Sequence, residues 1–562
     1  MLPRQGLDHP AVEGLVSCQS CRSRDCIFSS PGPPPWGSLS TPPGSLALKG
    51  YNAVSNRLTE AIHEEAVKHI RRHEHHAKWV HEENRRRSRR STAPVASLVI
   101  RRPEYWKFAA GFDPYLVRSR ADRIGHAMRR ALRSASYSPH NPTDYGVPKG
   151  DGTERMVAVF QLADNAVSRL TFRSLLSKNR AKLSSRSYAY RSDLTAHDAL
   201  QYLLSELAEG ERMFIAEYDF SRYFENIDHE HIRRTLKDDR YLLTASERRV
   251  TEAFLQAPLP TIGRYSESGG ALRDRGLPQG TSISLFLANL AAAPLDRALE
   301  RLGVGFVRYA DDTLIWSRDY GTLCRAVDEL HNAATAIGSD VNLAKSQGIR
   351  LLVGEGARAE IVSTTFTEFV GYRISMKRLD MKDQTVRRAQ ERIRELLYFN
   401  LLQTAMGGTV ATSRLDGEVD RDYVVFVSQL RRYLYGDLNE ADLRRFQARG
   451  IPMRRFKGLM SYYPLIDDSD QLARLDRWLL RETWLTLRKR SALLRAGGVL
   501  ALPQPHDLAL PDLVRFQSRS TKTGEPIDLQ LPSFRRIANI MRSAALIHGP
   551  NRIGQTRRLY EY

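Results

Sequence analysis

Two short apolar runs around a polar tip form the clearest pattern in the chain. Residues 306–309 and 313–316 are rich in β-branched and aromatic side chains, and only a few residues separate the two runs. This arrangement predicts a β-hairpin with Asp311 and Asp312 at its tip. Adjacent carboxylates repel one another and resist burial, so a fold that holds them together usually supplies cations. Paired aspartates are also common as solvated turn formers, and the hairpin alone leaves both interpretations open.

Two other stretches predict strands that carry charged residues. The apolar run 213–218 predicts a strand that ends on Asp219. Residues 147–155 contain a Gly-Asp-Gly turn between two extended pieces, with Lys149 and Arg155 at its ends. Two cations on one hairpin can each donate a charge-assisted hydrogen bond to a phosphate oxygen. Most such hairpins are ordinary surface features, so this pattern needs support from the rest of the chain.

A rigid turn precedes the most apolar helix that the sequence predicts. Pro and Gly bracket Gln279 in the stretch Gly-Leu-Pro-Gln-Gly at 276–280, and the apolar run 285–299 follows. We expect Thr281 or Ser282 to cap this helix. The turn would let the Gln279 amide approach a nucleotide or a template, whereas the plainer interpretation is a loop that starts a helix.

The remainder of the chain is mostly helical and basic. Residues 1–50 are rich in Pro, Gly and Ser, which predicts disorder. The stretch 52–90 predicts a polar helix that contains six histidines and ends in an arginine cluster at 85–90. A solvated helix face explains the histidines better than metal binding does, and the arginines suit a phosphate backbone. Residues 101–135 and the basic region after residue 380 are also expected to be helical.

Two clusters look like metal sites but have simpler explanations. Cys18, Cys21 and Cys26 lack an evident fourth ligand, which makes a closed zinc site a poor interpretation. The acidic stretch 467–470 precedes a predicted helix, and N-terminal capping accounts for it.

The charge balance favours a polyanionic partner. Over 562 residues, Lys and Arg outnumber Asp and Glu by 85 to 64, which gives a net charge of +21. Such an excess is most simply matched by nucleic acid. No apolar run approaches the length that crosses a bilayer, and four cysteines do not make a disulfide framework in so long a chain. We therefore expect a cytoplasmic protein without a membrane partner.

Taken in order, these motifs resemble those of reverse transcriptases. Tyr309-Ala310-Asp311-Asp312 resembles the Tyr-x-Asp-Asp box of that family. The strand that ends on Asp219, with Phe224 five residues later, resembles its first palm motif.

Further elements are similar to counterparts in reverse transcriptases of the group II intron type. They are the hairpin at 147–155, a Ser-Tyr-Ala-Tyr-Arg run at 187–191, the turn at 276–280, an Asn-x-x-Lys element ending at Lys345, and a hydrophobic hairpin at 369–374 that matches the primer grip. In that run, Ala189 and Tyr190 replace the usual Gly and Phe. The matched elements cover roughly residues 145–375.

The resemblance implies an α+β fold of the right-handed polymerase type, with an antiparallel palm sheet backed by helices. The expected divisions are a disordered tail at 1–50, a basic helical N-terminal extension at 51–135, fingers at 136–210, a palm at 211–380, and a helical thumb with a C-terminal extension at 381–562.

The resemblance also implies phosphoryl transfer assisted by two Mg²⁺ ions. Asp219 and Asp311 would be the main metal ligands, and Asp312 an auxiliary one. The nucleotide-binding candidates are Lys149 and Arg155 for the triphosphate, Phe224 beneath the incoming sugar, Gln279 beside the template or nucleotide, and Lys345 in the Asn-x-x-Lys element.

The implied function is an RNA-directed DNA polymerase that adds dNTPs to a primer on an RNA template. Helical extensions around a bare polymerase core resemble bacterial antiphage defence reverse transcriptases, for which a dedicated noncoding RNA is a candidate partner. An intron maturase-type enzyme without an endonuclease is the alternative. Template-independent synthesis, RNA synthesis and an RNA-binding scaffold without catalysis remain open, although the complete set of aspartates argues against a scaffold.

Overall fold

The structure of the chain is a computed structural model. It describes residues 49–148, 154–208, 210–260, 265–266, 270–344, 346–436, 438–448, 455–519 and 526–554. The expectations for the N-terminal tail and its three cysteines lie outside these residues. Within them, no helix combines the length and the apolar character that crossing a membrane requires.

The N-terminal part of the described chain is a long helix packed against shorter helices and a hairpin. Its elements are α1 (Lys49–Arg90), α2 (Pro114–Ser119), α3 (Ala121–Arg133), β1 (Thr143–Pro148), β2 (Glu154–Val159), α4 (Leu162–Asn179) and α5 (Ala196–Ala208). The predicted helix over 52–90 and the predicted hairpin over 147–155 are both present, and β1 pairs antiparallel with β2.

A five-stranded sheet, called the central sheet here, occupies the middle of the chain. In chain order this part contains β3 (Arg212–Tyr218), α6 (Tyr223–Asn226), α7 (His229–Lys237), α8 (Ala245–Leu255), α9 (Ser282–Leu302), β4 (Gly305–Tyr309), β5 (Asp312–Ser317), α10 (Tyr320–Ile337), β6 (Gly348–Val353) and β7 (Ser363–Thr364). The strand order is β4-β5-β3-β6-β7, and every pair is antiparallel except β6 with β7.

The two faces of the central sheet pack into two different hydrophobic cores. Phe306 and Ile315 face the core that contains α9 and α10, whereas Val307 and Leu314 face the other core. Successive side chains of a strand point to opposite faces, so each strand serves both cores and both faces must be apolar. The expected antiparallel sheet backed by helices is present, and the α+β fold class is confirmed.

The C-terminal part contains a small sheet followed by helices. Its elements are β8 (Thr367–Phe369), β9 (Tyr372–Ile374), β10 (Leu379–Met381), α11 (Asp383–Leu397), α12 (Gln403–Met406), α13 (Arg421–Tyr435), α14 (Glu440–Gln447), α15 (Ser469–Ala496), α16 (Leu510–Leu513), β11 (Gln517–Arg519), β12 (Pro526–Asp528), α17 (Phe534–His548) and α18 (Pro550–Ile553). A π-helical turn, Tyr398–Leu402, extends α11. The predicted hairpin at 369–374 corresponds to β8 and β9.

The acidic stretch before α15 is a cap, as predicted. The Asp468 carboxylate accepts hydrogen bonds from the backbone N–H groups of Asp470 at 2.6 Å and Gln471 at 3.1 Å. These donors would otherwise lack a partner at the start of the helix.

The interpretation of the arginine cluster at 85–90 as a phosphate-binding face is wrong in part. Arg90 is buried, lies 3.6 Å from Asp422, and donates hydrogen bonds to the Phe399 carbonyl and the Asn400 side chain. Because these partners are more than 300 positions away in the chain, no local pattern could reveal them.

Arg86 and Arg87 are also paired within the helix. Both form ion pairs with Glu83, one turn before them. Their charges are therefore partly compensated on the surface of α1.

A buried charge network holds the C-terminal helices together around Arg490, which is fully buried in α15. Its guanidinium donates to Asp420 at 2.8 Å and to Asp422 at 2.9 Å, and also to the Leu401 carbonyl at 2.7 Å. His506 lies 2.9 Å from Asp420 on the other side. Burial raises the pKa of Asp420, but the hydrogen bonds from His506 and Arg490 outweigh it and hold that pKa at about 2.

Replacing Arg490 should therefore destabilise the protein strongly. Arg490→Ala removes the guanidinium that two buried carboxylates share, and we expect a loss of about 3–5 kcal/mol. Arg495→Ala is the matched control on the same helix, because the Arg495–Asp507 pair is more than half exposed; its loss should cost about 0–1 kcal/mol. Thermal unfolding of the two variants beside the wild type measures the difference, and equal midpoints for both would contradict the assignment.

Candidate active site

The tip of the β4–β5 hairpin is a two-residue turn. Tyr309 pairs with Asp312, so Ala310 and Asp311 alone form the loop. Ala310 has a φ of 64°, the sign that a type II′ turn requires at its first position and that glycine normally provides. An alanine in this region is strained, so the turn needs support from its surroundings.

Arg308 provides that support from inside the protein. Its Nη1 donates to the Ala310 carbonyl at 2.9 Å. Its Nε and Nη2 form a bidentate ion pair with Asp296 of α9, at 2.7 and 2.6 Å. Nη2 also donates to the Ser187 hydroxyl at 2.8 Å. One fully buried guanidinium thus joins the turn, the longest helix behind the central sheet, and the run at 187–191.

The strand register brings the three predicted aspartates to the same end of the paired strands β3 and β5. Tyr218 pairs with Thr313, and extending this register by one residue places Asp219 opposite Asp312. Directly opposed residues of an antiparallel pair have Cβ atoms about 4.5–5.5 Å apart. Asp311 lies beside them in the turn.

The segment after α10 holds the backbone of Asp219. The Asn342 N–H donates to the Asp219 carbonyl at 2.8 Å, and the Ser221 N–H donates to the Asp340 carbonyl at 2.7 Å. The predicted Asn-x-x-Lys element is therefore adjacent to the first aspartate. Its Lys345 lies outside the described residues.

Negative charge is concentrated around Asp312. Burial raises the pKa of its carboxyl to about 8; Lys382 opposes the shift, whereas Glu217, Asp311 and Asp219 add to it. Such a carboxyl is stabilised in its ionised form when a cation binds beside it.

The donor set suits a hard divalent cation. Carboxylate oxygens are the ligands that Mg²⁺ prefers, and Mg²⁺ usually takes one or two of them together with water and substrate phosphates. Among the described residues, no group of three or more His, Cys, Asp or Glu side chains is arranged to hold a metal ion by itself. A site in which two aspartates share the ion with water and substrate oxygens is compatible with this result.

The turn at 276–280 is anchored on both sides. Gln279 is buried; its Nε2 donates to Glu225 at 2.8 Å, and its carbonyl accepts from the Ala158 N–H of β2 at 2.7 Å. A side chain at Gly280, where φ is 126°, would come within 2.3 Å of the Ala158 carbonyl. Glycine is therefore required here for the turn to approach the β1–β2 hairpin.

The predicted cap of α9 is wrong. Thr281 occupies the N-cap position, but its side chain makes no capping bond, and its hydroxyl lies 2.8 Å from that of Ser284. The Ser168 hydroxyl of α4 accepts from the Ile283 N–H at 2.9 Å instead. The cap comes from another helix because Thr281 is turned into the protein interior.

Phe224 is a packed residue of α6, five positions after Asp219 in the chain. Its ring is buried, lies 6.3 Å from the Tyr190 ring and 6.1 Å from the Tyr223 ring, and meets both edge-on. The Phe224 carbonyl accepts from the Leu277 N–H at 2.6 Å. Tyr190, one of the departures from the family pattern, therefore contacts the predicted sugar-binding aromatic directly.

The triphosphate-binding candidates lie at the margin of the described structure. Lys149 falls outside the described residues. Arg155 lies in β2 opposite Val147, but its side chain is not among those described. Their role stays a prediction.

Sequence reasoning missed two charged residues near the aspartates. Glu217 precedes Asp219 by two positions, so strand alternation alone places it on the same face. Lys382 acts electrostatically on Asp312 from the start of α11, and no local pattern signals this long-range proximity.

A comparison with protein families matches residues 147–374 to the family described as reverse transcriptase (RNA-dependent DNA polymerase). The match covers less than half of the chain, and it spans every element from β2 to β9. This segment is thus a reverse transcriptase domain, the domain of a nucleotidyltransferase. No curated protein matches the chain at a significant level.

Among solved structures, the chain is similar to telomerases. One is apo telomerase from Candida tropicalis truncated from the C-terminal domain, with 14% identity and a TM-score of 0.34; the match covers 46% of this chain and 59% of that one. Another is telomerase from Candida albicans in complex with a fragment of telomeric RNA, with 11% identity, a TM-score of 0.36 and 70% coverage of each chain. Similarities at this level do not identify a function.

The role of Arg308 can be tested by separating stability from turn geometry. Arg308→Met leaves the buried Asp296 carboxylate without the guanidinium that it pairs with, and this should destabilise the protein by about 3–5 kcal/mol. The double variant Arg308→Met/Asp296→Leu removes both charges and should recover most of that stability, because apolar pairs often replace buried ion pairs well. It should remain poor at nucleotide incorporation, since the Ala310 carbonyl still lacks its donor. Thermal unfolding and primer extension measure the two properties, and full activity in the double variant would contradict this role.

Proposed function

We propose that the protein is an RNA-directed DNA polymerase that extends a primer on an RNA template with dNTPs. The proposal is carried by one observation. Within a segment that is a reverse transcriptase domain, the end of β3 and the β4–β5 turn bring Asp219, Asp311 and Asp312 to the same end of two paired antiparallel strands of the central sheet. The net charge of +21 supports a nucleic acid partner.

The proposed reaction is an in-line displacement at the α-phosphate of the nucleotide. The primer 3′-hydroxyl loses its proton to solvent and forms the new P–O bond to the α-phosphorus, while the bond from that phosphorus to the bridging oxygen breaks and pyrophosphate leaves. Asp219 and Asp311 would hold two Mg²⁺ ions, with Asp312 as an auxiliary ligand. When bound, such ions lower the pKa of the primer hydroxyl and neutralise charge on the pyrophosphate.

The remaining candidate residues would orient the substrates. Lys149 and Arg155 would hold the triphosphate through charge-assisted hydrogen bonds, and Lys345 would lie near the same phosphates. Gln279 would act mainly through its backbone and through Glu225, because its amide already donates to that carboxylate. Phe224 would limit the space beneath the sugar.

For the biological role, we propose antiphage defence in a bacterium, with a dedicated noncoding RNA as template or partner. Support comes from the resemblance to defence-associated reverse transcriptases and from the helices on either side of the matched domain. Sequencing of nucleic acid that co-purifies with the protein tests this role. One recurrent structured RNA with complementary DNA would support it, whereas intron RNA would favour the maturase alternative, and DNA without a complementary RNA would favour template-independent synthesis.

Loss of either main carboxylate should abolish incorporation. Asp219→Asn and Asp311→Asn keep the shape of the side chain but remove its charge, and we expect activity to fall at least about a thousandfold, an effect of about 4 kcal/mol on the barrier. Primer extension on an RNA template, with thermal unfolding as the folding control, measures this. Wild-type rates in both variants would show that these carboxylates do not carry the reaction, whereas a wild-type protein without incorporation would favour the scaffold interpretation.

Phe224 should set the discrimination against ribonucleotides. Phe224→Ala removes a ring from a packed site, so we expect a stability loss of about 3–5 kcal/mol. Any folded fraction should accept ribonucleotides more readily, with the dNTP preference reduced by about tenfold to a thousandfold. The ratio of dNTP to rNTP incorporation on one sample is informative even when part of the protein is unfolded, because both rates scale with the same folded fraction. An unchanged ratio would show that Phe224 is a core residue only.

A further inference from the structure

The Phe224 ring is held in place by other aromatic rings. Within the described chain, the rings of Tyr223 and Tyr190 meet it edge-on, at centroid distances of 6.1 and 6.3 Å. Such contacts are favourable because the positive edge of one ring faces the negative face of the other. Tyr223 is itself fixed, since it is buried and its hydroxyl donates to the Ala288 carbonyl of α9 at 2.7 Å. Tyr190 supports the Phe224 ring from a different segment of the chain.

The backbone at Tyr190 lies in the left-handed region, with a φ of 61°. A bulky residue rarely adopts this conformation, because its Cβ crowds the neighbouring carbonyl oxygen. Strained conformations of this kind persist where the surroundings fix them, and they cluster at functional sites. Here the Tyr190 ring packs against the hydrophobic core that contains Phe224, and its hydroxyl oxygen is shielded from solvent.

The chain on either side of Tyr190 is anchored by hydrogen bonds. Before it, the Ala189 carbonyl accepts from Nδ2 of the buried Asn289 of α9 at 2.7 Å. After it, Nη1 of Arg191 donates to the Ser184 carbonyl at 2.7 Å. These bonds restrain the backbone that carries the Tyr190 ring, so a push on the ring cannot easily displace it.

Steric exclusion is effective only if the excluding ring cannot move. The 2′-hydroxyl of a ribonucleotide would press on the Phe224 ring, and a ring with free space behind it would rotate away at little cost. A ring in a close-packed interior transmits the strain to its neighbours instead. The packing around Phe224 therefore determines how large the penalty against a ribonucleotide is.

We propose that Tyr190 is a positioning residue that supports the Phe224 ring and thereby sets the discrimination between dNTPs and rNTPs. This inference rests on the proposed function and extends it from the aromatic beneath the sugar to a residue that acts through that aromatic. Because the Tyr190 ring makes the contact, its hydroxyl is not required for this role.

The experiment measures the ratio of dNTP to rNTP incorporation by the full chain on one RNA template. Tyr190→Gly removes the ring, and glycine adopts the left-handed backbone readily. We expect the ratio to fall about three- to tenfold, less than in Phe224→Ala, because the ring beneath the sugar remains but loses one support. Tyr190→Phe keeps the ring and should leave the ratio unchanged. If Tyr190→Gly does not fold, Tyr190→Leu takes its place, since leucine fills the core without a planar ring.

Tyr188→Ala is the matched control. Tyr188 lies two residues earlier in the same run and is buried in the other hydrophobic core. Its replacement should lower the thermal unfolding midpoint, as Tyr190→Gly does, but should leave the incorporation ratio as in the wild type. The ratio is insensitive to stability, because both rates scale with the same folded fraction.

A double variant tests whether Tyr190 acts through Phe224. Phe224→Ala/Tyr190→Gly should have the same ratio as Phe224→Ala, because the support has no effect once the supported ring is absent. A ratio that falls further in the double variant would show that Tyr190 acts independently and would overturn the inference.

An unchanged or higher ratio in folded Tyr190→Gly, or an equal fall in Tyr188→Ala, would also overturn it. The proposed function fails separately, if the wild type does not incorporate dNTPs on an RNA template. If the wild type is active and Phe224→Ala lowers the ratio while Tyr190→Gly does not, only the role of Tyr190 fails. An active Phe224→Ala with the wild-type ratio removes the roles of both aromatic residues and leaves the polymerase assignment intact.

Discussion

The ion pair between Arg308 and Asp296 is the interaction on which the aspartate site depends. A guanidinium can be removed from water only if its donors are satisfied, and Arg308 satisfies them on three separate segments. The guanidinium needs all three of these partners at once, and the contacts that satisfy it also fix the geometry of the turn. If α9 or the run at 187–191 moved, the guanidinium would lose a partner in a place that water cannot reach. The position of Asp311 is therefore determined by the packing behind the sheet more than by the two strands that carry it.

The same physical solution recurs around Arg490, far from the aspartates in sequence. There, two buried carboxylates and a histidine surround one guanidinium, and Arg90 from the other end of the described chain adds a further cation. Buried ion pairs of this kind contribute little net stability compared with apolar packing, but they penalise every arrangement that leaves one member alone. In this protein they lie at junctions between segments that are distant in sequence. We interpret these buried ion pairs as interactions that favour one relative position of the segments they join. The double variant Arg308→Met/Asp296→Leu tests this hypothesis directly.

Most of the secondary structure near the site was predictable because its signals are local. The β4–β5 hairpin, the strand before Asp219 and the apolar helix α9 each follow from the periodicity of their own residues, and the acidic cap of α15 follows from its position before a helix. Helix α10 begins at Tyr320, directly after Asp319, whose side chain caps it. Three of the contacts that were missed are long-range. The Ser168 hydroxyl caps α9 from another helix, Arg90 is buried against residues 399–422, and Lys382 acts on a turn 70 positions earlier. A single sequence contains no local signal for any of these.

Helix α1 has a mechanical consequence that follows from where its two ends are attached. Near its start, the Ala61 carbonyl accepts from Arg169 of α4 at 2.9 Å, and Glu65 lies 3.7 Å from the same guanidinium. At its other end, Arg90 enters the Arg490 network, and the following Thr92 N–H donates to the Thr409 carbonyl at 2.8 Å. Between Glu65 and Arg90 the helix rises about 38 Å, at about 1.5 Å per residue. An α-helix resists stretching, so α1 holds its two attachment points in the two hydrophobic cores at a fixed distance from each other. Any motion that changes the distance between α4 and α13 must bend α1 or break the contacts at one of its ends. Breaking the contacts at Arg90 is costly, because the charge of that side chain is buried.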